Sequence, residues 1–465
     1  MEIRQIMDVR TRMRDGIQLS SDVWLPSAPG RYPVLLLRTP YTKTYKDSHH
    51  AEWGEFFADH GYAFVVQDVR GRGDSEGEFD FFFQESDDGY DAVEGLAREP
   101  WCNGDVGMVG VSYWGTSQWL AARRRPPSLC CIAPTSPAGA YLNELPAVGG
   151  AFLMQWALTY LNETSGHTSQ SPNLALKNLP RIFQHRPLLT MDEALGRKMR
   201  LFREFLQNPT LNEYWKRILL TREDFEAIDI PVLTVTGQFD GNQAGALFYW
   251  QGLEAARPDR ADDHHLVIGP WTHLQSFLGG GDRVGEIELP QSASIDNKQL
   301  HLAFFDRHLR RSSEAFDAPR VRVYFTGADE WREFDHYPVA NLAPRRLFLT
   351  GQQADDEGSG GLTWEAPALG ATDSYLFDPQ SPVPFGWEYA SDRRTVQERS
   401  DVLVYTSEEL KVAVEVCGPV SVDLYAASDA RDTDFTAAIS DVYPDGRSVL
   451  LGSKPIGVIR ARYRN

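Results

Sequence analysis

Cysteine is scarce in this chain of 465 residues, and so is positive charge. Four cysteines, at 102, 130, 131 and 417, are too few and too irregular for a disulfide framework. No Cys-x-x-Cys or Cys/His zinc spacing is present, so no metal is expected. Cys130 and Cys131 are adjacent in an apolar segment and are expected to be buried core thiols. The 46 Lys and Arg are outnumbered by 65 Asp and Glu, a net charge of −19. Such a surface repels phosphate backbones and anionic lipid, which argues against nucleic-acid and membrane partners. No apolar run is long enough to cross a bilayer. Met1-Glu2-Ile3-Arg4-Gln5 has no signal-peptide core, so a cytoplasmic location is expected. The glycine-rich stretch Gly71-Arg72-Gly73-Asp74-Ser75-Glu76-Gly77 lacks the Lys-Ser/Thr of a phosphate loop, and its acids would repel phosphate. It is expected to be a structural loop whose Arg and Asp pair among themselves. No cofactor is expected.

What is present is a globular composition, 42 % apolar, at a length suited to two or three domains. Asp15-Gly16 between extended runs is a hairpin signal. Val34-Leu35-Leu36-Leu37 and Tyr62 to Asp68 read as strands covered on both faces. Asp87 to Arg98 has helical periodicity. A strand through Val106-Gly107-Met108-Val109 leads to Ser112, a helix follows through Leu120 to Ala122, and Cys131-Ile132-Ala133-Pro134 is the next strand. This alternation predicts a mostly parallel α/β sheet. It stops near residue 140. Residues 141–221 read as a helical insertion over the strand ends, a cap. Strands resume at 230–236 and 265–269. From 341 short extended runs recur at 346–349, 402–405, 412–416 and 420–425 between turn residues, the pattern of a β-sandwich. Gly351 to Gly361 reads as an exposed loop.

The chemistry centres on Gly110-Val111-Ser112-Tyr113-Trp114-Gly115. A serine flanked by glycines at a strand-to-helix turn is the pattern of an acyl-transfer nucleophile, although the usual second glycine arrives one place late. Such a serine needs a base and an acid that orients it, each after a later strand. Asp240 follows the strand at 232–236, in Gly237-Gln238-Phe239-Asp240-Gly241; an ordinary Asp-Gly turn is the alternative. His273 follows the strand at 265–268 and is the one histidine so placed. His264 and His265 precede that strand, and His301 and His308 lie on a helix-like segment. The developing oxyanion needs two donors. The Tyr113 N–H is one candidate. Pro40 has no N–H to offer, so the second candidate is the hydroxyl of Tyr41, which would otherwise be a tyrosine packed at the core rim.

These segments resemble the cocaine-esterase-like hydrolases related to X-prolyl dipeptidyl peptidase. The resemblance is carried by Met13-Arg14-Asp15-Gly16, Arg38-Thr39-Pro40-Tyr41, Gln67-Asp68-Val69-Arg70-Gly71, Gly107 to Tyr113, Gly237 to Gly241, Gly269-Pro270-Trp271-Thr272-His273, Phe304 to Leu309 and Asp432 to Thr436. In that family the second glycine comes late. The resemblance implies an α/β-hydrolase core (1–140 and 222–340), a helical cap (141–221) and a C-terminal jelly roll (341–465) that is short for the family. It implies Ser112 as nucleophile, His273 as base, Asp240 as its orienter, and Tyr41 and Tyr113 as the oxyanion hole. The α-amino-ester branch carries carboxylates after the triad aspartate. Here Gly241-Asn242-Gln243 is uncharged, which lowers the expectation of such substrates. The short C-terminal domain suggests a compacted sandwich, one completed by a homodimer or partner chain, or a truncated sequence.

The expected activity is therefore hydrolysis of a small-molecule carboxylic ester or amide. The alternatives are an acylase or X-Pro-type dipeptidyl peptidase and, from another class, a non-catalytic binding protein on a hydrolase fold. No expected triad residue is missing, which favours the enzyme.

Overall fold

The computed structural model describes residues 3–45, 49–169, 179, 181–312, 316, 318–339, 343–351, 359–367, 372–384, 389–453 and 457–463. Its centre is a ten-stranded mixed sheet. In chain order the strands are β1 (Arg4–Arg12), β2 (Gln18–Leu25), β3 (Tyr32–Thr39), β4 (Ala63–Asp68), β5 (Cys102–Val111), β6 (Leu129–Thr135), β7 (Val232–Gly237), β8 (His264–Gly269), β9 (Val321–Phe325) and β10 (Glu330–Phe334). Their spatial order is β1-β2-β4-β3-β5-β6-β7-β8-β9-β10. Strands β4, β3 and β5 to β9 run parallel, while β1, β2 and β10 are antiparallel additions at the edges. The continuous apolar runs of β3 and β4 are buried on both faces, as a helix-covered parallel sheet requires. The expected hairpin joins β1 to β2, and Met13 N–H donates to Ile17 O across the Asp15-Gly16 turn.

The crossover helices are α1 (His50–Asp59), α2 (Glu85–Leu96), α3 (Tyr113–Arg123), α4 (Met154–Glu163), α5 (Arg200–Gln207), α6 (Gln243–Ala256), α7 (His273–Leu278) and α8 (Asn297–His308). Between β6 and β7 the chain leaves the sheet. Residues 141–221 include α4, α5, shorter helical turns and a two-stranded ribbon at 147–152. Trp215, Phe202 and Phe205 are buried there, whereas Phe152 and Trp156 are only partly covered.

Several details depart from expectation. His264 and His265 lie within β8 rather than before it. Cys131 is buried, but Cys130 is only partly covered. In the loop after β4, Arg and Asp do not pair with each other. Arg70 takes Asp88 and Asp15, Asp74 takes Lys43, and Arg72 turns to backbone carbonyls. The loop is too tight for internal pairing, so its charges reach neighbouring elements.

Beyond β10 the described residues form a three-stranded sheet (Phe348–Thr350, Ser359–Thr363, Val404–Thr406) and two two-stranded ribbons. Of the expected loop 351–361, residues 352–358 lie outside the described residues, and 359–361 are strand rather than loop. Segments 412–416 and 420–425 are not paired strands. Val412 is 76 % exposed and Val416 68 %, because no neighbouring strand among the described residues covers them. The C-terminal part does reach the core: Ala390 and Val449 pack with Phe239, Tyr324 and Leu289, directly beneath the turn that carries Asp240.

Candidate active site

The five expected site residues all sit at the carboxyl ends of strands, where open α/β sheets form their crevice. Ser112 links β5, a central strand, to α3. Its φ of 63° and ψ of −121° are strained for a residue with a side chain. The surroundings hold that strain in place. Ser112 N–H donates to Thr135 O at 2.9 Å, and Ser112 O accepts from the N–H groups of Gly115 and Thr116. The glycines explain themselves sterically. A Cβ on Gly110 would lie 2.5 Å from the Trp114 Cβ, and one on Gly115 would lie 2.8 Å from Thr135 O. The close approach of helix to β6 therefore falls at Gly115, which accounts for the late glycine. The Tyr113 N–H is the first of α3 and has no carbonyl one turn back. The Tyr113 side chain is tied down by a bond from its hydroxyl to Phe81 O at 2.7 Å and by stacking on Phe82.

Asp240 and His273 come from adjacent loops that interlock. Gln238 N–H donates to Gly269 O, and Phe239 N–H to Trp271 O. A Cβ on Gly237 would overlap Trp271 O, so the loops touch backbone to backbone. His273 opens α7, which is fixed by a capping box between Thr272 and Gln275. His273 Nδ1 donates to Asp240 Oδ1 at 2.8 Å. That oxygen also accepts the Asn242 N–H at 2.8 Å. The Asp240 side chain is fully buried, while His273 is 26 % exposed. Helix α7 packs on β5, and Phe277 meets Trp114 at 5.8 Å between ring centroids. The histidine helix and the serine turn are thereby neighbours.

Electrostatics follow from this arrangement. Burial opposes a charged His273 most strongly, but the Asp240 charge and hydrogen bond outweigh it and raise the imidazole above its ordinary value. Burial alone would push Asp240 up. The charge and bond of His273, the Ser136 hydroxyl and the Asn242 N–H together hold it below the usual carboxylate range. Tyr41 stands against Ser112. Its phenol is pushed well up, by burial first and then by the Glu163 carboxylate, while the Ser112 and Tyr160 hydroxyls act the other way. It is therefore a neutral O–H at any working pH. Backbone contacts fix its loop: Tyr41 N–H donates to Thr39 Oγ1, and Ser169 Oγ donates to Tyr41 O at 2.9 Å.

Three neighbours escaped the sequence reading. Ser136, with φ of 46° at the end of β6, stands near enough to Asp240 to favour its charge. Arg72 and Tyr160 lie behind Tyr41. For Ser136 the signal was its place just after a strand. For Tyr160 there was none, because a tyrosine at helical spacing in a cap reads as packing. Asn242 and Gln243, the uncharged pair after Asp240, bond the carbonyls of Ser136 and Gly237.

Residues 15–275 match the model of the X-Pro dipeptidyl-peptidase (S15) family, and residues 314–465 match the C-terminal non-catalytic domain of X-Pro dipeptidyl-peptidase. The chain belongs to this family. It is a serine hydrolase acting on ester or amide bonds, built on an α/β-hydrolase core with a C-terminal domain of strands. It is 35 % identical to a cocaine esterase from Rhodococcus sp. (strain MB1 Bresler), over 98 % of this chain and 83 % of that one. A putative serine esterase of Mycobacterium bovis is 24 % identical over 97 % of this chain and 80 % of its own. Among solved structures, an α-amino acid ester hydrolase superposes with a TM-score of 0.81 at 23 % identity, covering 100 % of this chain and 83 % of that one. An aminopeptidase from Thaumarchaeota archaeon gives 0.80 at 23 %, covering 100 % and 82 %. These two establish likeness of fold. No helix among the described residues is long and apolar enough to cross a membrane, and no group of three or more His, Cys, Asp or Glu among them could hold a metal.

Proposed function

We propose that this S15-family hydrolase cleaves a small carboxylic ester through an acyl-enzyme on Ser112. Ser112 Oγ attacks the substrate carbonyl carbon, and His273 Nε2 takes the Oγ proton. The Tyr41 hydroxyl and the Tyr113 N–H receive the oxyanion. As the tetrahedral species collapses, His273 gives its proton to the leaving oxygen. Water then enters, His273 takes a proton from it, and the acyl-Ser112 bond breaks to release the acid. Asp240 holds Nδ1 protonated so that Nε2 faces the serine, and it stabilises the imidazolium. The observation that carries this reading is the 2.8 Å bond from His273 to a fully buried Asp240, on a helix packed against the strand that ends at Ser112.

Esters without a substrate ammonium suit the turn after Asp240, where Asn242 and Gln243 are neutral and already bonded. The similarity to a cocaine esterase supports the same choice. Tyr41 meets Trp114 edge-on at 6.3 Å between ring centroids, an aromatic surrounding suited to an apolar acyl group. A fluorophosphonate should label Ser112 once, and Ser112→Ala should lose both labelling and p-nitrophenyl ester turnover. Turnover by Ser112→Ala at the original rate would overturn the mechanism.

One observation favours a second reading, X-Pro dipeptidyl peptidase. Glu163, at the end of α4, lies close enough to act on Tyr41 and could receive a free amino terminus. Comparing an X-Pro-anilide with acyl esters, on the native chain and on Glu163→Gln, separates the two. Loss of anilide cleavage alone in the variant supports the peptidase.

A further inference from the structure

Behind Tyr41 lies a group of side chains with no part in the mechanism above. Arg72 is fully buried, although arginine is seldom so. Its Nε donates to Pro40 O at 2.5 Å, the carbonyl just before Tyr41. Its Nη2 reaches Ser169 Oγ at 3.2 Å and Glu163 O at 3.4 Å. Its Nη1 is buried and has no hydrogen-bond partner among the described residues. One helical turn before Glu163 stands Tyr160, whose hydroxyl is also buried and also lacks a partner of ordinary geometry among them. The Tyr160 ring meets Tyr41 edge-on at 6.3 Å between centroids, with Trp156 stacked on it at 5.1 Å and Phe81 against it at 6.0 Å. After burial itself, Tyr160 is the strongest influence on the Arg72 charge, and its hydroxyl stands near enough to Tyr41 to offset part of the effect of burial there. A buried donor and a buried hydroxyl side by side are seldom both left unmade.

We propose that Arg72 and Tyr160 are positioning residues that back the oxyanion donor through one chain of hydrogen bonds: Arg72 Nη1 to Tyr160 Oη, Tyr160 Oη to Tyr41 Oη, and Tyr41 Oη to the oxyanion. The sense of the chain is forced. A guanidinium can only donate, so Tyr160 must accept from it and spend its own proton on Tyr41. Tyr41 then accepts on its far side, and its single proton points at Ser112 and at the oxygen that develops charge there. Each bond polarises the next, so the positive end strengthens the donor at the reacting end. The cap is part of the arrangement, because Tyr160 sits on α4 and Ser169 holds the Tyr41 carbonyl. The proposal rests on Tyr41 being an oxyanion donor.

The test is a double-mutant cycle on the full chain with p-nitrophenyl acetate. Tyr41→Phe is expected to lower kcat by about 100-fold, as loss of one oxyanion donor does. Tyr160→Phe keeps the ring and its stacking and should lower kcat by about tenfold, with KM within about twofold and the unfolding midpoint unchanged. The double variant should be no slower than Tyr41→Phe alone, a coupling that a merely structural role would not give. Additive losses, or Tyr160→Phe at the native rate while Tyr41→Phe is slow, overturn the chain and leave the oxyanion reading standing. Tyr41→Phe at the native rate overturns both. Arg72→Lys should be slower in the native background and neutral in Tyr160→Phe. A loss that persists there makes Arg72 a clamp for the loop and removes it from the chain.

Discussion

Replacing Asp240 by Asn tests the proposed base most directly. The substitution preserves shape, so the buried turn and the Asn242 N–H bond can survive. What it removes is a full negative charge 2.8 Å from His273 Nδ1 in a site closed to solvent on the aspartate side. During acylation His273 becomes an imidazolium, and that cation would then face a neutral amide. Where an equivalent aspartate orients a catalytic histidine, this change lowers kcat by about 10⁴-fold, or about 5 kcal/mol of transition-state stabilisation. A loss of 10³- to 10⁴-fold is expected here, with KM little altered. The pH dependence gives a second reading. In the native chain Asp240 raises His273 against the opposing effect of burial. The base must be neutral to act, so kcat/KM should fall with decreasing pH through a midpoint above about 6.5, the ordinary histidine value. With the charge gone, burial is left unopposed and the midpoint should move below that value. Stopped-flow or steady-state p-nitrophenyl ester hydrolysis from pH 5 to 9 measures both. A variant within tenfold of the native rate, or one whose acid limb does not move, would refute the argument.

Gly115→Ala places a methyl 2.8 Å from Thr135 O, so the serine turn must shift; a loss of about 1–3 kcal/mol in stability and a lower kcat are expected, read by urea unfolding and ester assay. Arg38→Met strands Glu85, whose partner is a fully buried guanidinium 2.5 Å away, and should destabilise by about 3–5 kcal/mol in the same unfolding assay. Burial already pushes Glu85 up to about 7, so the stranded carboxyl should take a proton and the loss should shrink below that pH. Burial holds His50, His301 and His308 down to about 4 and His264 to about 3. The unfolded chain protonates them near 6.5, so their contribution is whole above that pH and is lost as pH falls towards 4. Asp68, raised to about 6, and Glu85 pull the other way in the same window. Asp22, Glu99 and Glu163 are raised by burial as well, so the histidine effect is read on one group: the native Tm should fall more between pH 6.5 and 4.5 than that of His301→Gln, and an equal change would contradict this.

Local chemistry on the chain was enough to place the frame. The double-faced apolar runs of β3 and β4, the Asp15-Gly16 turn and the glycines around Ser112 each answer to sterics or burial within a few residues. So does the position of a turn after β7 and after β8, which is why Asp240 and His273 could be placed at strand ends from sequence. The strands expected at 412–416 and 420–425 show the limit of such reasoning. Alternating apolar residues specify a surface that can pair, and pairing needs a neighbour at the right distance. Tertiary structure alone decided that the two loops interlock backbone to backbone, that Ser136 comes near Asp240, and that Arg72 passes over the acids beside it to reach the carbonyls of Pro40 and Glu163. Those contacts join residues far apart in the chain. Their strength depends on burial and on direction, and neither is written in the order of the residues.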